Sequence, residues 1–278
     1  MTEITAHHGL FKDTNLHVDD TGGSGRPVVL IHGWPLSGEA FKDNVPALEA
    51  AGYRVVTYDR RGFGRSDKPL TGYTYDTLTE DLHAVLDGLD LNDATIVGFS
   101  MGGGEVARYF TKYGTERIRS VVFASAVPPY LLKTPGNPDG PLPASEAAKM
   151  TAGLTAGQEK FYDQFTTDLF SVGGALKVTE EQRQEALALA LQSSKTAALA
   201  CMTAFANTDF RDDLKKVTVP TLVLHGDGDA VVPFEGSGAR THAAVFGSTV
   251  HVIAGAPHGC NVSHADEWNS AVIDFLAG

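Results

Sequence analysis

Thr95-Ile96-Val97-Gly98-Phe99-Ser100-Met101-Gly102-Gly103-Gly104-Glu105-Val106 joins a short β-branched run to a stretch of helical spacing through one serine set between glycines. Thr95–Phe99 is too short for a helix and lacks polar alternation, which is the pattern of a strand covered on both faces. Gly103–Tyr113, closed by Gly114, reads as the helix that follows. A serine on so tight a turn lifts its hydroxyl clear of the sheet only if the backbone folds sharply. Gly98 and Gly102, two places either side, remove the side chains that would collide with the neighbouring strand and helix. The amides at the start of the helix then face any negative charge that develops there.

The same alternation extends outward. Val28–Ile31, Val55–Tyr58 and Ser120–Ala124 are further compact apolar runs, and between them lie helix-like segments at Glu39–Ala51, closed by Gly52, and at Thr77–Leu89. Strand alternating with helix predicts βαβ units, hence an α/β fold with a doubly wound, mostly parallel sheet. The first twenty residues alternate loosely and turn at Gly9 and at Gly22-Gly23-Ser24-Gly25, predicting an N-terminal antiparallel pair. Ser120–Ala124 then becomes the sixth strand.

After Ala124 the pattern breaks. A stretch rich in proline and glycine (Pro128, Pro129, Pro135, Gly136, Pro138, Gly140, Pro141, Pro143) reads as a loop, because proline blocks both helix and central strand. Helix-like segments follow at Ala144–Gly153, Gln158–Phe170, Glu180–Leu191 and Lys195–Ala206. Strands resume at Thr221–His225 and Thr249–Ala254, and a last helix is expected near Asp266–Leu276. The expected organisation is a core domain of residues 1–127 and 217–278, with a helical cap, 128–216, inserted after the sixth strand.

Composition narrows the function. The chain has 278 residues and a formal net charge of −12, from 22 Lys+Arg against 34 Asp+Glu. That balance argues against nucleic-acid binding, which depends on cations neutralising phosphates. No apolar stretch approaches the roughly 20 residues that span a bilayer, so no membrane partner is expected. The first residues carry neither a basic head nor an apolar core of a secretory signal. Two cysteines, Cys201 and Cys260, make no disulfide framework. A soluble cytoplasmic protein is expected, with homo-oligomerisation left open.

A serine hydroxyl needs a base to become a nucleophile. In hydrolases built on a strand–serine–helix turn, the acid and then the histidine follow the serine in chain order, from loops after later strands. His258, in Ala256-Pro257-His258-Gly259, stands just past Thr249–Ala254. The other histidines fit less well: His251 falls inside a strand, His264 opens the final helix, and His32, His7, His8 and His17 come too early. Leu224-His225-Gly226-Asp227-Gly228-Asp229 leaves a strand and offers two carboxylates. Asp229 is preferred, because Asp227 suits a turn-capping role. The backbone N–H of Met101, after the serine, and that of Trp34, in the loop His32-Gly33-Trp34, are expected to form an oxyanion hole.

Val127, Tyr130, Phe161, Phe165, Val231 and Val232 are candidates for an apolar acyl pocket beneath the cap, although Phe161 and Phe165 also have the spacing of cap packing. Asp59-Arg60-Arg61-Gly62 reads as a loop anchor rather than an anion site. Cys260 reads as apolar filler.

His32-Gly33-Trp34-Pro35, Tyr58-Asp59-Arg60-Arg61-Gly62-Phe63-Gly64-Arg65-Ser66, Gly98-Phe99-Ser100-Met101-Gly102-Gly103 and Ala256-Pro257-His258-Gly259 together resemble the cofactor-free bacterial haloperoxidases, or perhydrolases, of the α/β-hydrolase superfamily, a group that includes aryl esterases and γ-lactamases. The resemblance covers nearly the whole chain and is weakest from about Thr134 to Lys215. It implies the α/β-hydrolase fold, with Ser100 as nucleophile, Asp229 as acid, His258 as base, and the Trp34 and Met101 amides as oxyanion donors. It also implies a small-molecule ester or carboxylic acid substrate, peracid formation or lactam cleavage as side activities, and no heme, vanadium, metal or other cofactor. No metal-ligand spacing such as H-E-x-x-H occurs. Two alternatives share the serine: a carbon–carbon bond hydrolase, and a small-molecule receptor on the same fold. Dehalogenases and epoxide hydrolases of this fold resemble families with aspartate at the nucleophile position, which Ser100 argues against.

Overall fold

The apolar runs pair edge to edge into one eight-stranded sheet. In this computed structural model, residues 2–7 and 13–278 are described. The strands are β1 (Thr2–Ala6), β2 (Thr14–Asp20), β3 (Pro27–Ile31), β4 (Arg54–Tyr58), β5 (Ala94–Phe99), β6 (Ile118–Ala124), β9 (Thr221–Gly226) and β10 (Thr249–Ile253), in spatial order β1-β2-β4-β3-β5-β6-β9-β10. A two-stranded hairpin, β7 (Ser171–Val172) and β8 (Ala175–Leu176), stands apart. From β4 to β10 every neighbouring pair is parallel; β1 and β2 form the expected antiparallel pair at one edge. The turn expected at Gly9 lies outside the described residues.

β5 is buried at all six positions, as a central strand with helices on both faces must be. In register, Gly98 of β5 stands between Ile31 of β3 and Phe123 of β6. The chain goes from β3 to β4 on one side and returns to β5 on the other, so the loops after β3 and β5 diverge. A crevice at the carboxyl ends of the strands is the place where α/β sheets bind ligands.

The helices are α1 (Val45–Ala50), α2 (Tyr75–Gly88), α3 (Gly102–Tyr113), α4 (Ala144–Ala156), α5 (Gln158–Leu169), α6 (Glu180–Leu191), α7 (Lys195–Asn207), α8 (Arg211–Leu214), α9 (Gly238–Ala244), α10 (Cys260–Ser263) and α11 (Ala265–Ala277). The single helix expected over Glu39–Ala51 is two pieces, a tight turn at Gly38–Phe41 and then α1. Pro46 has no amide to continue a ladder and tolerates only a helix's first turn. Asn44, the residue before α1, makes no cap: its Oδ1 accepts from the Asn261 amide (3.3 Å), and its own amide donates to the Asn261 carbonyl (3.0 Å) and the Asn269 side chain (2.8 Å).

The long segment between β6 and β9 holds α4 to α8 and the hairpin. Gly173 and Gly174 turn that hairpin at φ +58° and +80°, a region open to glycine. The segment is tied to the sheet's loops: the Trp34 indole N–H donates to the Ala198 carbonyl (3.0 Å), and the Ser194 amide donates to the Gly62 carbonyl (2.8 Å). Among the described residues no helix is long and apolar enough to cross a membrane.

Candidate active site

Ser100 sits between β5 and α3 with φ +53°, a left-handed backbone that costs a non-glycine residue about 1–2 kcal/mol. The surrounding structure enforces it. The Ser100 amide donates to the Ala124 carbonyl (2.9 Å) at the end of β6, and the Val127 amide donates back to the Ser100 carbonyl (3.1 Å). A Cβ on Gly98 would stand 2.7 Å from the Gly102 backbone, and one on Gly102 would stand 2.6 Å from the Ile31 carbonyl oxygen. Both glycines are required by contact, as the turn's spacing implied.

The loops after β9 and β10 bring Asp229 and His258 to this turn. His258 Nε2 lies 2.8 Å from Ser100 Oγ, and His258 Nδ1 lies 2.6 Å from Asp229 Oδ2. A carboxylate only accepts, so Nδ1 carries the proton and Nε2 is left to accept the serine hydroxyl's. Asp229 Oδ1 accepts from the Val231 and Val232 amides at 2.9 and 2.7 Å. Burial alone would raise this carboxyl, but electrostatic attraction and a hydrogen bond from His258, with His225 Nε2 3.2 Å away, hold it at about 2. The Phe99 ring leans on the imidazole at 5.2 Å between centroids. Asp227 does not cap the turn as expected: its Oδ1 accepts the Gly255 amide of the loop after β10 at 2.6 Å, and the turn is capped by Asp229, through the Val231 and Val232 amides.

The loop after β3 presses on the same serine. A Cβ on Gly33 would come within 2.8 Å of the Phe99 ring and 3.0 Å of the Ser100 Cβ. Trp34 follows Gly33 on this loop, and Met101, the residue after Ser100, stands at the N-cap of α3. The loop is held from behind. His32 Nε2 accepts the Arg60 amide (2.9 Å), and its Nδ1 donates to the Gly33 carbonyl (2.9 Å). Burial and the adjacent Arg60 guanidinium push His32 down to about 3. Arg60 also donates to the His32 carbonyl (2.7 Å) and pairs with Glu105 (2.5 Å), which accepts the Tyr58 hydroxyl (2.7 Å). Asp59 accepts the Gly38 amide (2.9 Å), and Arg61 pairs with Asp81 (2.5 Å). These charges anchor the loop, in keeping with the reading of their motif.

A serine, imidazole and carboxylate hydrogen-bonded in series, beside an anchored loop at the carboxyl edge of a parallel sheet, can activate a hydroxyl for attack on a carbonyl. The model of the alpha/beta hydrolase fold family matches residues 26–265. The chain belongs to that family. This α/β-hydrolase is similar to the solved bromoperoxidase from Bacillus anthracis, with 48% identity and a TM-score of 0.95 over 100% of this chain and 99% of that one. It is 40% identical to the non-heme chloroperoxidase of Kitasatospora aureofaciens over 257 residues, 91% of this chain and 93% of the relative. It is 36% identical to the bifunctional esterase/perhydrolase of Acinetobacter calcoaceticus over 261 residues, 92% and 94% of the two chains. These relatives bear out the resemblance read from the motifs.

Above Ser100 the hydrolase has a cavity of about 830 Å³. Trp34, Val127, Phe161, Phe165, Val231 and Val232 line it. Phe161 and Phe165 also pack edge-on against the Trp34 ring, so helical packing and pocket wall are one surface here. Tyr130 is a correction. The Arg211 guanidinium lies over its ring at 5.8 Å, and its carbonyl accepts from Asn137 (2.9 Å). Tyr130 does not line the cavity, its ring being taken up under Arg211, whereas the next residue, Leu131, is buried against it. Phe205 of α7 also lines the cavity and was not anticipated. The charged side chains on the lining are both acidic, Glu146 and Asp168. Among the described residues no group of three or more His, Cys, Asp or Glu is placed to hold a metal ion.

Proposed function

We propose that this α/β-hydrolase cleaves small carboxylic esters through an acyl-enzyme on Ser100. The observation that carries the reading is the unbroken series Ser100 Oγ, His258 and Asp229, at 2.8 and 2.6 Å. His258 Nε2 takes the hydroxyl proton as Oγ attacks the carbonyl carbon, and Asp229 stabilises the imidazolium. The Trp34 and Met101 amides receive the oxyanion, each worth about 3 kcal/mol of barrier. Collapse expels the alkoxide, which takes the proton from His258. Water, deprotonated by the same nitrogen, then frees the acid. Hydrogen peroxide in place of water gives a peracid, which oxidises halide after leaving the site. The names of the relatives, chloroperoxidase, bromoperoxidase and esterase/perhydrolase, support this branch. Lactam cleavage follows the same steps with an amine as leaving group.

The segment 128–216 acts in this reading as the cap that supplies one wall of the acyl pocket. A carbon–carbon bond hydrolase holding a substrate carboxylate is disfavoured, because among the described residues the cavity lining offers no Lys or Arg and its charges are Glu146 and Asp168. Turnover of p-nitrophenyl acetate tests the assignment. Wild type should hydrolyse it and Ser100→Ala should lose at least a thousandfold in kcat; equal rates would remove the serine from the reaction, and no turnover by wild type on any ester would favour a receptor.

A further inference from the structure

His225 is buried one residue before the end of β9, beside the carboxylate that holds His258. Its Nε2 lies 2.8 Å from the Val232 carbonyl oxygen and 3.2 Å from Asp229 Oδ2. A carbonyl oxygen only accepts, so Nε2 carries a proton. Nδ1 is buried without a hydrogen-bond partner among the described residues, and the backbone of Gly238 closes on it: a Cβ there would stand 2.7 Å away. A proton on Nδ1 would thus be a buried donor with nothing to accept it. The ring is fixed in the tautomer that aims its one N–H between Val232 and Asp229.

We propose that His225 is a positioning residue for the reaction, holding Asp229 Oδ2 in line with His258 Nδ1. The inference rests on the serine, histidine and aspartate reading above. Asp229 Oδ1 is fixed by the amides of Val231 and Val232, and Oδ2 is shared by the two imidazoles. Without the second donor, only His258 itself would steady the oxygen that is supposed to orient it. His225 also ties the Val232 carbonyl, so the stretch carrying both amides is clamped from its far side. Cavity-lining Val231 and Val232 belong to this stretch, which links acid placement to one wall of the pocket.

The test compares glutamine, asparagine and phenylalanine at this position. A glutamine amide nitrogen is as many bonds from the backbone as histidine Nε2, whereas an asparagine amide falls near the Nδ1 position. His225→Gln should keep kcat for p-nitrophenyl acetate within about threefold of wild type. His225→Asn and His225→Phe should lose about ten- to a hundredfold in kcat with KM unchanged, the effect expected of a reacting group misplaced by a fraction of an ångström. Thermal unfolding of each variant separates fold from function. Wild-type kcat in all three variants overturns the proposal, as does a loss in His225→Gln as large as in the other two. Ser100→Ala run in parallel keeps the two readings apart. Its inactivity beside fully active His225 variants sinks only the positioning role, while its full activity sinks the serine mechanism as well.

Discussion

Gly33 and Ser100 approach so closely that a Cβ added to Gly33 would sit 3.0 Å from the Cβ of the serine. The contact fixes the loop carrying Trp34 relative to the proposed nucleophile, and it has no slack, since the Phe99 ring stands 2.8 Å from the same point. Gly33→Ala must push this loop or that ring aside. We expect kcat/KM for small esters to fall by about a hundredfold, with a smaller loss of stability. Kinetics and thermal unfolding on one preparation decide it; unchanged kcat/KM would mean that the loop's position is irrelevant to catalysis.

The Arg60–Glu105 pair is fully buried behind the loop, with Tyr58 donating to the same carboxylate. Removing one partner leaves a charge that water cannot reach, at a cost of about 3–5 kcal/mol. Glu105→Gln should therefore lower the urea midpoint markedly. The exposed Glu146–Lys149 pair is the control, and Glu146→Gln should shift stability by under about 0.5 kcal/mol. Equal small shifts in both variants would contradict the account of this network.

Acid should destabilise the fold in two steps. His32 titrates at 6.5 in a model peptide and only near 3 in the fold, because burial and Arg60 oppose its charge. Between those values the unfolded chain binds the extra proton, so stability falls as pH falls below about 6.5. Asp229 moves the same way from 3.8 to about 2, and its contribution, complete above about 4, is lost toward 2. Urea unfolding at pH 7.5, 6, 5 and 4 should show a declining free energy throughout. A flat profile down to pH 5 would deny that His32 is held neutral.

Phe161 is half-buried against Trp34 and lines the cavity. Phe161→Ala lengthens the apolar space above Ser100. The ratio of kcat/KM for p-nitrophenyl octanoate to that for the acetate should rise about tenfold. An unchanged ratio would place the acyl chain elsewhere.

Much of the fold was legible because central parallel strands leave continuous apolar runs, and β3 to β6, β9 and β10 all begin or end within two residues of the runs read for them. The serine was legible from its glycines, and the histidine from a loop after the last strand. The choice of Asp229 over Asp227 rested on turn chemistry that the structure reverses: Asp229 reaches His258 with one oxygen and caps the turn with the other, while Asp227 bonds the Gly255 amide of another loop. What escaped depends on direction rather than pattern. Tyr130 and Leu131 are both large side chains able to wall a pocket, and only the path of the loop decides which one faces the cavity. The break at Asn44–Pro46 is set by contacts with Asn261 and Asn269 more than two hundred residues away. His225 lay inside an apolar strand run, where a partner across a loop leaves no periodic signal.

The most direct test of the serine mechanism is covalent capture. Incubation with a p-nitrophenyl alkylphosphonate should release one p-nitrophenol per chain and leave one phosphonyl group, mapped by peptide mass spectrometry to Ser100; Ser100→Ala should show neither. An adduct on another residue, or ester turnover that survives in a chain with Ser100 blocked, would contradict the account at its centre.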